Sequence, residues 1–424
     1  MGKIENCDDI LKEWILDEFN VYIGECVKFS NPGLIAGIGS NHIGQLGMGS
    51  DVYNVHKPKR VLYGDTDIVQ VCAGGMHSAI LTSDGEVYTF GCDDENALGR
   101  RGDNSVPGKV VLHEKIVMIS AGDSHTAVLS DKGDVYAWGT FRDSKGPIGI
   151  LDNSVRPMSQ PCHIRMNMKI KKIVSGNDHL VMLSENGQVC TMGVGEQGQL
   201  GRDVDDVIKR RFLKTPGIVM CRDLALICND VWANSYTTFA KDVFNNVYGW
   251  GLNGSYQIGD IEYEKIKRCG KPGIAYCIFT PVVIDSSKNN WIMISSGSDH
   301  TLFLNDKGQV FSQGMKRYGQ LGLGVIAEET IKTPTRLKTL HDIKSVNSVG
   351  SISYAIDTGG RVFSWGMGST MQLGRTKSND GFSSVEEDSF EPKLINLKRK
   401  CLMISGGGQH TLLLLAHSDM INSS

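Results

Sequence analysis

Short runs of alternating apolar and polar residues recur along the chain, and they come in pairs around a turn. In residues 77–91 and again in residues 125–139, two β-rich runs flank a turn that contains Gly85 or Gly133. Such a pattern predicts a β-hairpin, because glycine accepts the left-handed backbone that the turn requires. In the copy at 237–251 Asn245 takes the glycine position, and asparagine also tolerates that conformation. The full frame recurs at 179–193, 237–251, 300–314 and 352–366.

Every hairpin ends at a glycine, and in most copies a second glycine follows eight residues later. The closing glycines are Gly39, Gly91, Gly139, Gly193, Gly251, Gly314 and Gly366, at intervals of 48 to 63 residues. This period is long enough for a four-stranded unit. In the third copy the spacing from Gly139 to Gly149 is ten, which places two extra residues within 141–146. An insertion confined to one repeat typically marks a functional loop.

Seven copies of a four-stranded unit predict an all-β fold, a seven-bladed β-propeller. Residues 34–39 supply only the second half of a copy and residues 405–415 only a first half. We expect the two halves to combine into one blade, closing the ring between the N- and C-terminal segments and removing exposed sheet edges. The predicted propeller spans 32–416, after an N-terminal extension at 1–31 and before a short tail at 417–424.

The N-terminal extension is acidic, with seven acids against three bases in residues 1–31. Leu11, Trp14, Ile15, Phe19 and Tyr22 follow helical spacing, which predicts a short amphipathic helix.

Composition narrows the classes of function. Glycine supplies 50 of 424 residues, as expected for many tight turns, and the net charge of −3 gives no overall basic field for a polyanion. The 11 cysteines are scattered without a C-x-x-C pair, so we expect reduced thiols, no zinc or other metal site and no cofactor. No apolar run is long enough to span a membrane, and no signal-peptide pattern is present.

Gly-Gln-Leu-Gly occurs at 44–47, 198–201 and 319–322, and Ala/Ser-Gly-x-x-His segments precede several hairpins. Over residues 32–415 this pattern resembles the repeat of the regulator of chromosome condensation family. Segments 121–126, 141–143, 175–183 and 195–202 are also similar to the family's exchange factors. The resemblance implies a seven-bladed propeller without covalent chemistry that promotes GDP/GTP exchange on the small GTPase Ran, in the nucleus and bound to chromatin. The alternative is a non-catalytic scaffold that recruits a protein partner.

The resemblance also assigns site residues. It implies that Asp143, Asp178 and His300 are critical for exchange, with His77, His410 and Arg142 as further contacts to the GTPase. The family's β-wedge, an element pressed against the GTPase, falls on Asp152, Asn153, Ser154, Val155, Arg156 and Pro157. The basic run Lys209 to Lys214, with Arg210 and Arg211, falls in a loop that in this family contacts the GTPase or chromatin, and its arginines would suit the acidic surface of a nucleosome.

The residues alone leave plainer interpretations open. Five histidines, which we call the anchor histidines, begin a hairpin frame, and each ring could simply satisfy backbone groups beside its strand. They are His77, His125, His179, His300 and His410. Asp143 and Asp178 could cap turns, and the basic run could be a solvated surface. The G-x-G-x-x-G match at 193–198 uses the glycines of the repeat itself and lacks a βαβ context, so we do not interpret it as a dinucleotide site.

The chain also departs from the family pattern. His42 stands where relatives carry an acid, and Thr237 and Ile352 replace histidine at two anchor positions. The acidic N-terminal segment replaces a basic tail, which puts DNA contact through the tail in doubt.

Overall fold

The protein is a seven-bladed β-propeller. The computed structural model describes residues 33–61, 67–151, 156–202, 214–222, 224–261, 267–268, 276–286, 289–375 and 386–420, and every regular element in these ranges is a β-strand. The innermost strands of successive blades contact one another in turn, and the innermost strand of the seventh blade contacts that of the first. The predicted all-β ring is therefore confirmed.

Each blade is an antiparallel sheet of four main strands, numbered here in chain order. Blade 1 contains β1 (Gly33–Ser40), β2 (Asn54–Arg60), β32 (Arg399–Gly406) and β33 (His410–Met420). Blade 2 contains β3 (Ile68–Ala73), β4 (His77–Thr82), β5 (Val87–Gly91) and β6 (Gly108–Lys109). Blade 3 contains β7 (Ile116–Ala121), β8 (His125–Ser130), β9 (Val135–Gly139) and β12 (Met158–Ile164). Blade 4 contains β13 (Ile170–Ser175), β14 (His179–Ser184), β15 (Val189–Gly193) and β16 (Gly217–Ile218).

The remaining blades follow the same order. Blade 5 contains β19 (Asp230–Asn234), β20 (Thr237–Lys241), β21 (Asn246–Leu252) and β23 (Tyr276–Ser286), with β22 (Lys267–Arg268) at its edge. Blade 6 contains β24 (Trp291–Ser296), β25 (His300–Asn305), β26 (Val310–Met315) and β27 (Thr330–Arg336). Blade 7 contains β28 (Ile343–Val349), β29 (Ile352–Asp357), β30 (Val362–Gly366) and β31 (Ser389–Ile395). Two small hairpins lie outside the blades, β10 (Phe141–Asp143) with β11 (Gly146–Gly149), and β17 (Met220–Cys221) with β18 (Leu224–Ala225).

The ring closes through the two ends of the propeller, as the half-copies predicted. Strand β33 pairs with β1 from Gly33 opposite Ala416 to Gly39 opposite His410. The predicted domain end at 416 is too early, because β33 continues to Met420, which pairs with Arg399. The predicted helix within 1–31 lies outside the described residues.

The repeated glycines mark positions where the backbone needs a left-handed conformation. Gly139, which closes the third hairpin, has a φ of +83°, and a Cβ there would lie 2.3 Å from the carbonyl oxygen of Ser124. Asn245, the one non-glycine at the hairpin turns, adopts a φ of +64°. The turn chemistry expected from the sequence is therefore present.

Adjacent blades are joined by buried side chains, of which tryptophan is the most prominent. Trp138, Trp250 and Trp365 occupy the position before the closing glycine and have no exposed surface. Each indole Nε1 donates to a backbone carbonyl of the preceding blade, at 2.8, 3.0 and 2.9 Å respectively. Each ring therefore fills the space between two sheets while its one polar atom is satisfied.

Of the cysteines that the structure describes, seven are free thiols, but Cys277 is disulfide-bonded, so the expectation of reduced thiols is wrong at that position. Among the described residues, no group of three or more His, Cys, Asp and Glu side chains could hold a metal ion. Within the same residues, none of the elements is a helix of the length and apolarity needed to cross a membrane.

Candidate functional site at the anchor face

One face of the propeller gathers most of the predicted site residues, and we call it the anchor face. The start of each second strand pairs with the end of each third strand, as His125 with Gly139, His179 with Gly193 and His300 with Gly314. Segments that precede the anchor positions and segments that follow the closing glycines therefore emerge at the same end of their blades. Asp143 and Asp178 belong to such segments.

The insertion predicted in the third copy forms the β10–β11 hairpin on this face. At its base, Phe141 is buried with its ring 4.7 Å from that of His125, and Gly149 N donates to Thr140 Oγ1 at 2.8 Å. At its tip, Ser144 donates from its backbone N and from Oγ to the carboxylate of Glu196 in blade 4, at 3.0 and 2.7 Å. The hairpin is thus held by two blades.

Asp178 lies beneath this hairpin with only 6% of its surface exposed. Its Oδ1 accepts a hydrogen bond from the backbone N of Arg142 at 2.8 Å. Burial raises the pKa of this carboxyl to about 7; the hydrogen bond and the Arg142 guanidinium lower the pKa, while Asp123 and Asp143 raise it. Asp178 therefore lies close to the point of changing charge at neutral pH, as is common in functional sites.

Two further carboxylates surround Asp178. Asp143 is half-buried, and its Oδ1 accepts from the backbone N of Lys145 at 2.8 Å, so it caps the hairpin turn in which it stands. Asp123 is exposed and lies against blade 2, where a Cβ on Gly75 would approach its Oδ1 to 2.2 Å. Although Asp123 is exposed, the protein atoms around its carboxyl partly desolvate it and raise its pKa, and the nearby Arg142 lowers that pKa.

Arg142 contacts acidic residues of both neighbouring blades. Its backbone N binds Asp178 of blade 4, and its guanidinium forms an ion pair with Glu95 of blade 2. The sequence had not singled out Asp123, Glu95 or Glu196 as site residues. Glu196 stands three residues after its closing glycine and Glu95 four after its own, so their place in the repeat already directed them to this face.

The anchor histidines are buried between blades. Each Nε2 meets a hydroxyl group of the next blade, and the partners are Thr126 for His77, Ser175 for His125, Thr238 for His179, Ser353 for His300 and Ser78 for His410, at 2.7 to 3.1 Å. The expectation that these rings satisfy backbone groups is therefore wrong for Nε2. Four of these hydroxyl groups, all except that of Ser175, donate their proton to a backbone carbonyl. Such a hydroxyl can only accept a hydrogen bond from the histidine ring, so in these four pairs Nε2 carries the ring hydrogen.

Burial keeps these rings uncharged. Desolvation lowers the pKa of His77 to about 4 and those of the other four anchor histidines to about 3. Because His77, His300 and His410 are at most 1% exposed, the structure places them as inter-blade contacts rather than on an open surface.

The structure thus brings Asp143, Asp178 and Arg142 together, and it accounts for only part of the remaining predicted site. Arg156 is exposed, and the half-buried Pro157 accepts from Asn96 Nδ2 at 3.3 Å through its carbonyl. The other wedge residues and the basic arginines lie outside the described residues, namely Asp152, Asn153, Ser154, Val155, Arg210 and Arg211. Lys214 is only 7% exposed and donates to the carbonyl of Ile148 at 2.8 Å. Its inclusion in a partner-binding basic run is therefore wrong, because its ammonium group supports the β10–β11 hairpin.

Comparisons with known proteins agree with this architecture. The RCC1-like domain model matches residues 35–413. The Regulator of chromosome condensation of Homo sapiens is 41% identical over 408 residues, covering 92% of each chain. The Guanine nucleotide exchange factor SRM1 of Saccharomyces cerevisiae is 29% identical, over 88% of this chain and 85% of that protein. The crystal structure of Prp20p from Saccharomyces cerevisiae superimposes with a TM-score of 0.81 over 99% of this chain and 97% of that chain, at 24% identity.

Proposed function

This chain belongs to the regulator of chromosome condensation family, and on that premise we propose that it promotes GDP/GTP exchange on the small GTPase Ran. One yeast relative carries the name of a guanine nucleotide exchange factor. The observation that carries the proposal is the inserted β10–β11 hairpin, whose backbone is bonded to the buried Asp178. The choice of Ran rests on the segments that are similar to the family's exchange factors.

Exchange requires no covalent chemistry and no cofactor from this protein. An exchange factor must bind the nucleotide-free GTPase more tightly than the loaded one, and this difference in affinity lowers the affinity of the GTPase for nucleotide by the same factor. A rigid surface suits this task, since a preformed site does not lose binding energy to its own ordering. The seven blades provide such a support for the hairpin.

Asp178 and Asp143 supply the differential contact in this proposal. The carboxylate of Asp178 is disfavoured by desolvation, as its raised pKa shows, so a cation from the partner would relieve that cost. In a loaded GTPase, the lysine and magnesium ion of the nucleotide site are engaged by phosphates. Only the empty form can offer such a cation, and the acidic site therefore favours the empty form.

The anchor histidines act as positioning residues in this proposal. His300 holds blade 6 to blade 7 through Ser353 Oγ at 2.7 Å, and His410 holds blade 1 to blade 2 through Ser78 Oγ at 2.8 Å. His77 does the same between blades 2 and 3. Removal of such a ring would shift the loops of the anchor face without removing a direct contact.

We also propose a nuclear, chromatin-associated location. The yeast Prp20p structure was reported together with binding properties to Gsp1p and histones, which supports a GTPase and a histone-containing partner for the family. The Arg210 and Arg211 segment remains the proposed contact to an acidic nucleosome surface. The wedge, Asp152 to Pro157, remains a proposed contact to the GTPase.

The test is the release of labelled GDP from Ran in the presence of excess unlabelled nucleotide. Wild-type protein should accelerate release, and Asp178→Ala should reduce the second-order rate constant by about 10²-fold, as loss of about 3 kcal/mol of a charged contact implies. Glu185→Gln is the matched control, because Glu185 is an exposed acid of the same blade at the hairpin turn on the opposite face.

The alternative of a non-catalytic scaffold gives a different result. If wild-type protein binds Ran equally well in its GDP-loaded and empty forms and does not accelerate release, the exchange proposal is wrong. Loss of activity in Glu185→Gln as well as Asp178→Ala would show that the effect does not arise at the anchor face.

A further inference from the structure

A cavity of about 300 Å³ lies between blades 5 and 6, away from the acidic site. Its walls combine the loop after β21, the outer strand β23, and strands β24 to β27 of blade 6. The apolar part of the lining includes Ile258, Ile284, Trp291 and Phe303, and the polar part includes Asp260, Asp285, Gln313 and Lys332. This volume falls at the lower end of the range for small-molecule sites.

The cavity lies where one residue departs from the repeat. The position before the closing glycine holds a large apolar side chain in six blades, namely Ile38, Phe90, Trp138, Met192, Trp250 and Trp365, and all are completely buried. In blade 6 this position is Gln313. Gln313 Nε2 donates to the carbonyl of Gln257 at 3.1 Å, the same backbone position that receives the indole N–H in blades 3, 5 and 7. The glutamine therefore keeps the hydrogen bond of the tryptophan but not its ring.

The glycine that packs against the indole ring in other blades shows a matching gap in the packing here. A Cβ on Gly99, Gly201 or Gly322 would come within 2.5 to 2.8 Å of the tryptophan of the next blade. A Cβ on the equivalent Gly259 would find nothing nearer than Gln313 Nε2 at 3.8 Å. The surface that packs against an indole ring between other blades is therefore also present between blades 5 and 6, where it faces the cavity.

Gln313 also gives the cavity a polar requirement. The residue is only 1% exposed, and its Oε1 has no hydrogen-bond partner in the part of the chain that the structure describes. A buried acceptor without a partner is costly, and a ligand that donates one hydrogen bond would remove this cost. At the wall, Asp285 Oδ2 already accepts from Trp291 Nε1 at 2.6 Å, so the unmet demand is that of Gln313.

We propose that this cavity binds a planar aromatic group of indole size that donates one hydrogen bond to Gln313 Oε1. An apolar cavity of 150 Å³ can hold benzene, so about 300 Å³ leaves room for a bicyclic ring. The ring would lie among Ile258, Ile284 and Phe303 and restore the packing that tryptophan provides between other blades. The inference does not depend on the proposed exchange activity.

The experiment uses full-length protein with labelled isoleucine δ1-methyl groups, titrated with indole and followed by NMR. Indole should shift the signals of Ile258, Ile261 and Ile284, while those of Ile35 and Ile80, which lie in another core, stay unchanged. 1-Methylindole, which has the ring but no N–H, should bind roughly tenfold more weakly, as one hydrogen bond implies. N-acetyltryptophanamide tests whether a peptide-borne indole enters as well as a free one.

Two variants make the proposal falsifiable. Gln313→Trp should fill the cavity, abolish the indole-dependent shifts and raise the melting temperature; Gln313→Leu should keep the cavity but remove the preference for indole over 1-methylindole. The proposal is wrong if indole does not bind wild-type protein, if it shifts only distant isoleucines, or if a folded Gln313→Trp variant binds indole as well as wild type does.

Discussion

Replacing Asp178 by asparagine should stabilise the protein, and the gain should increase with pH. The side chain is 6% exposed, and burial raises the pKa of its carboxyl from 3.8 to about 7. Asparagine has nearly the same shape, and its amide oxygen can still accept the hydrogen bond from Arg142 N. The substitution therefore removes a buried charge and leaves the local contact in place.

The direction follows from proton linkage. Between pH 3.8 and about 7 the folded protein retains a proton on Asp178 that the unfolded chain has released, so the contribution of Asp178 alone to the free energy of unfolding falls as pH rises through this range. At 1.36 kcal/mol per pKa unit, the cost to wild type is about 2 kcal/mol at pH 5 and about 4 kcal/mol at pH 8. The Asp178→Asn variant does not bear this cost.

The assay is urea unfolding of both proteins at pH 5, 6, 7 and 8, with the midpoint and slope fitted at each pH. Glu185→Gln serves as a control for the loss of one exposed negative charge in the same blade. The Asp178→Asn variant should lose exchange activity while Glu185→Gln retains it, because a carboxylate held at a cost to stability is useful only to a partner that supplies a cation. A stability difference between wild type and Asp178→Asn that does not change with pH would refute the reasoning.

Three further predictions concern the ring and the hairpin. Acidification from pH 6.5 towards pH 3 should destabilise the protein, because the unfolded chain then binds protons at the anchor histidines that the folded protein cannot bind, and five such sites outweigh the opposite effect of Asp178. Equal unfolding midpoints at pH 7 and pH 4.5 would contradict this. Leu413→Ala should lower the free energy of unfolding by about 2–5 kcal/mol, since the side chain is fully buried in the closing strand β33. Deletion of 404–415 should destabilise the whole ring. An unchanged melting temperature in either case would argue against closure through this strand. Glu196→Gln should slow GDP release, because it loosens the hairpin tip at Ser144, while the melting temperature should change by less than about 2 °C. Full exchange activity in this variant would show that the tip contact is dispensable.

Most of the fold could be predicted from the sequence because the repeat encodes local structure. Turn glycines and alternating strands occur within single hairpins, and the two half-copies at the ends predicted the pairing of β33 with β1. The role of the anchor histidines could not be predicted in this way, because His77 bonds to Thr126, which lies 49 residues away in the next blade. A signal was nevertheless present, since Thr126 directly follows the next anchor, and Ser78, Thr238 and Ser353 stand at equivalent positions.

The site was less accessible to sequence reasoning than the fold. The extra residues of the third copy located the hairpin correctly, because an insertion is visible in a regular spacing. The contact between Asp178 and Arg142 N depends on how blade 4 packs against blade 3, and no local pattern specifies that distance. Lys214 shows the same limit in reverse, since its position in a basic run concealed its buried contact with Ile148.

The two departures from the repeat have one physical interpretation in common. Each blade faces the same packing problem, and six of seven solve it with a large apolar side chain before the closing glycine. Gln313 gives up that packing and leaves a buried Oε1 without a partner among the described residues, and the β10–β11 hairpin places Asp178 in a site that disfavours its charge. Neither feature forms part of the ring closure, and we expect both to lower the stability of the propeller. A residue that is unfavourable for the fold at a single repeat is expected at a binding site, where another molecule supplies the favourable contact. By this reasoning the acidic site is suited to a cation from a partner, and the cavity is suited to an aromatic hydrogen-bond donor.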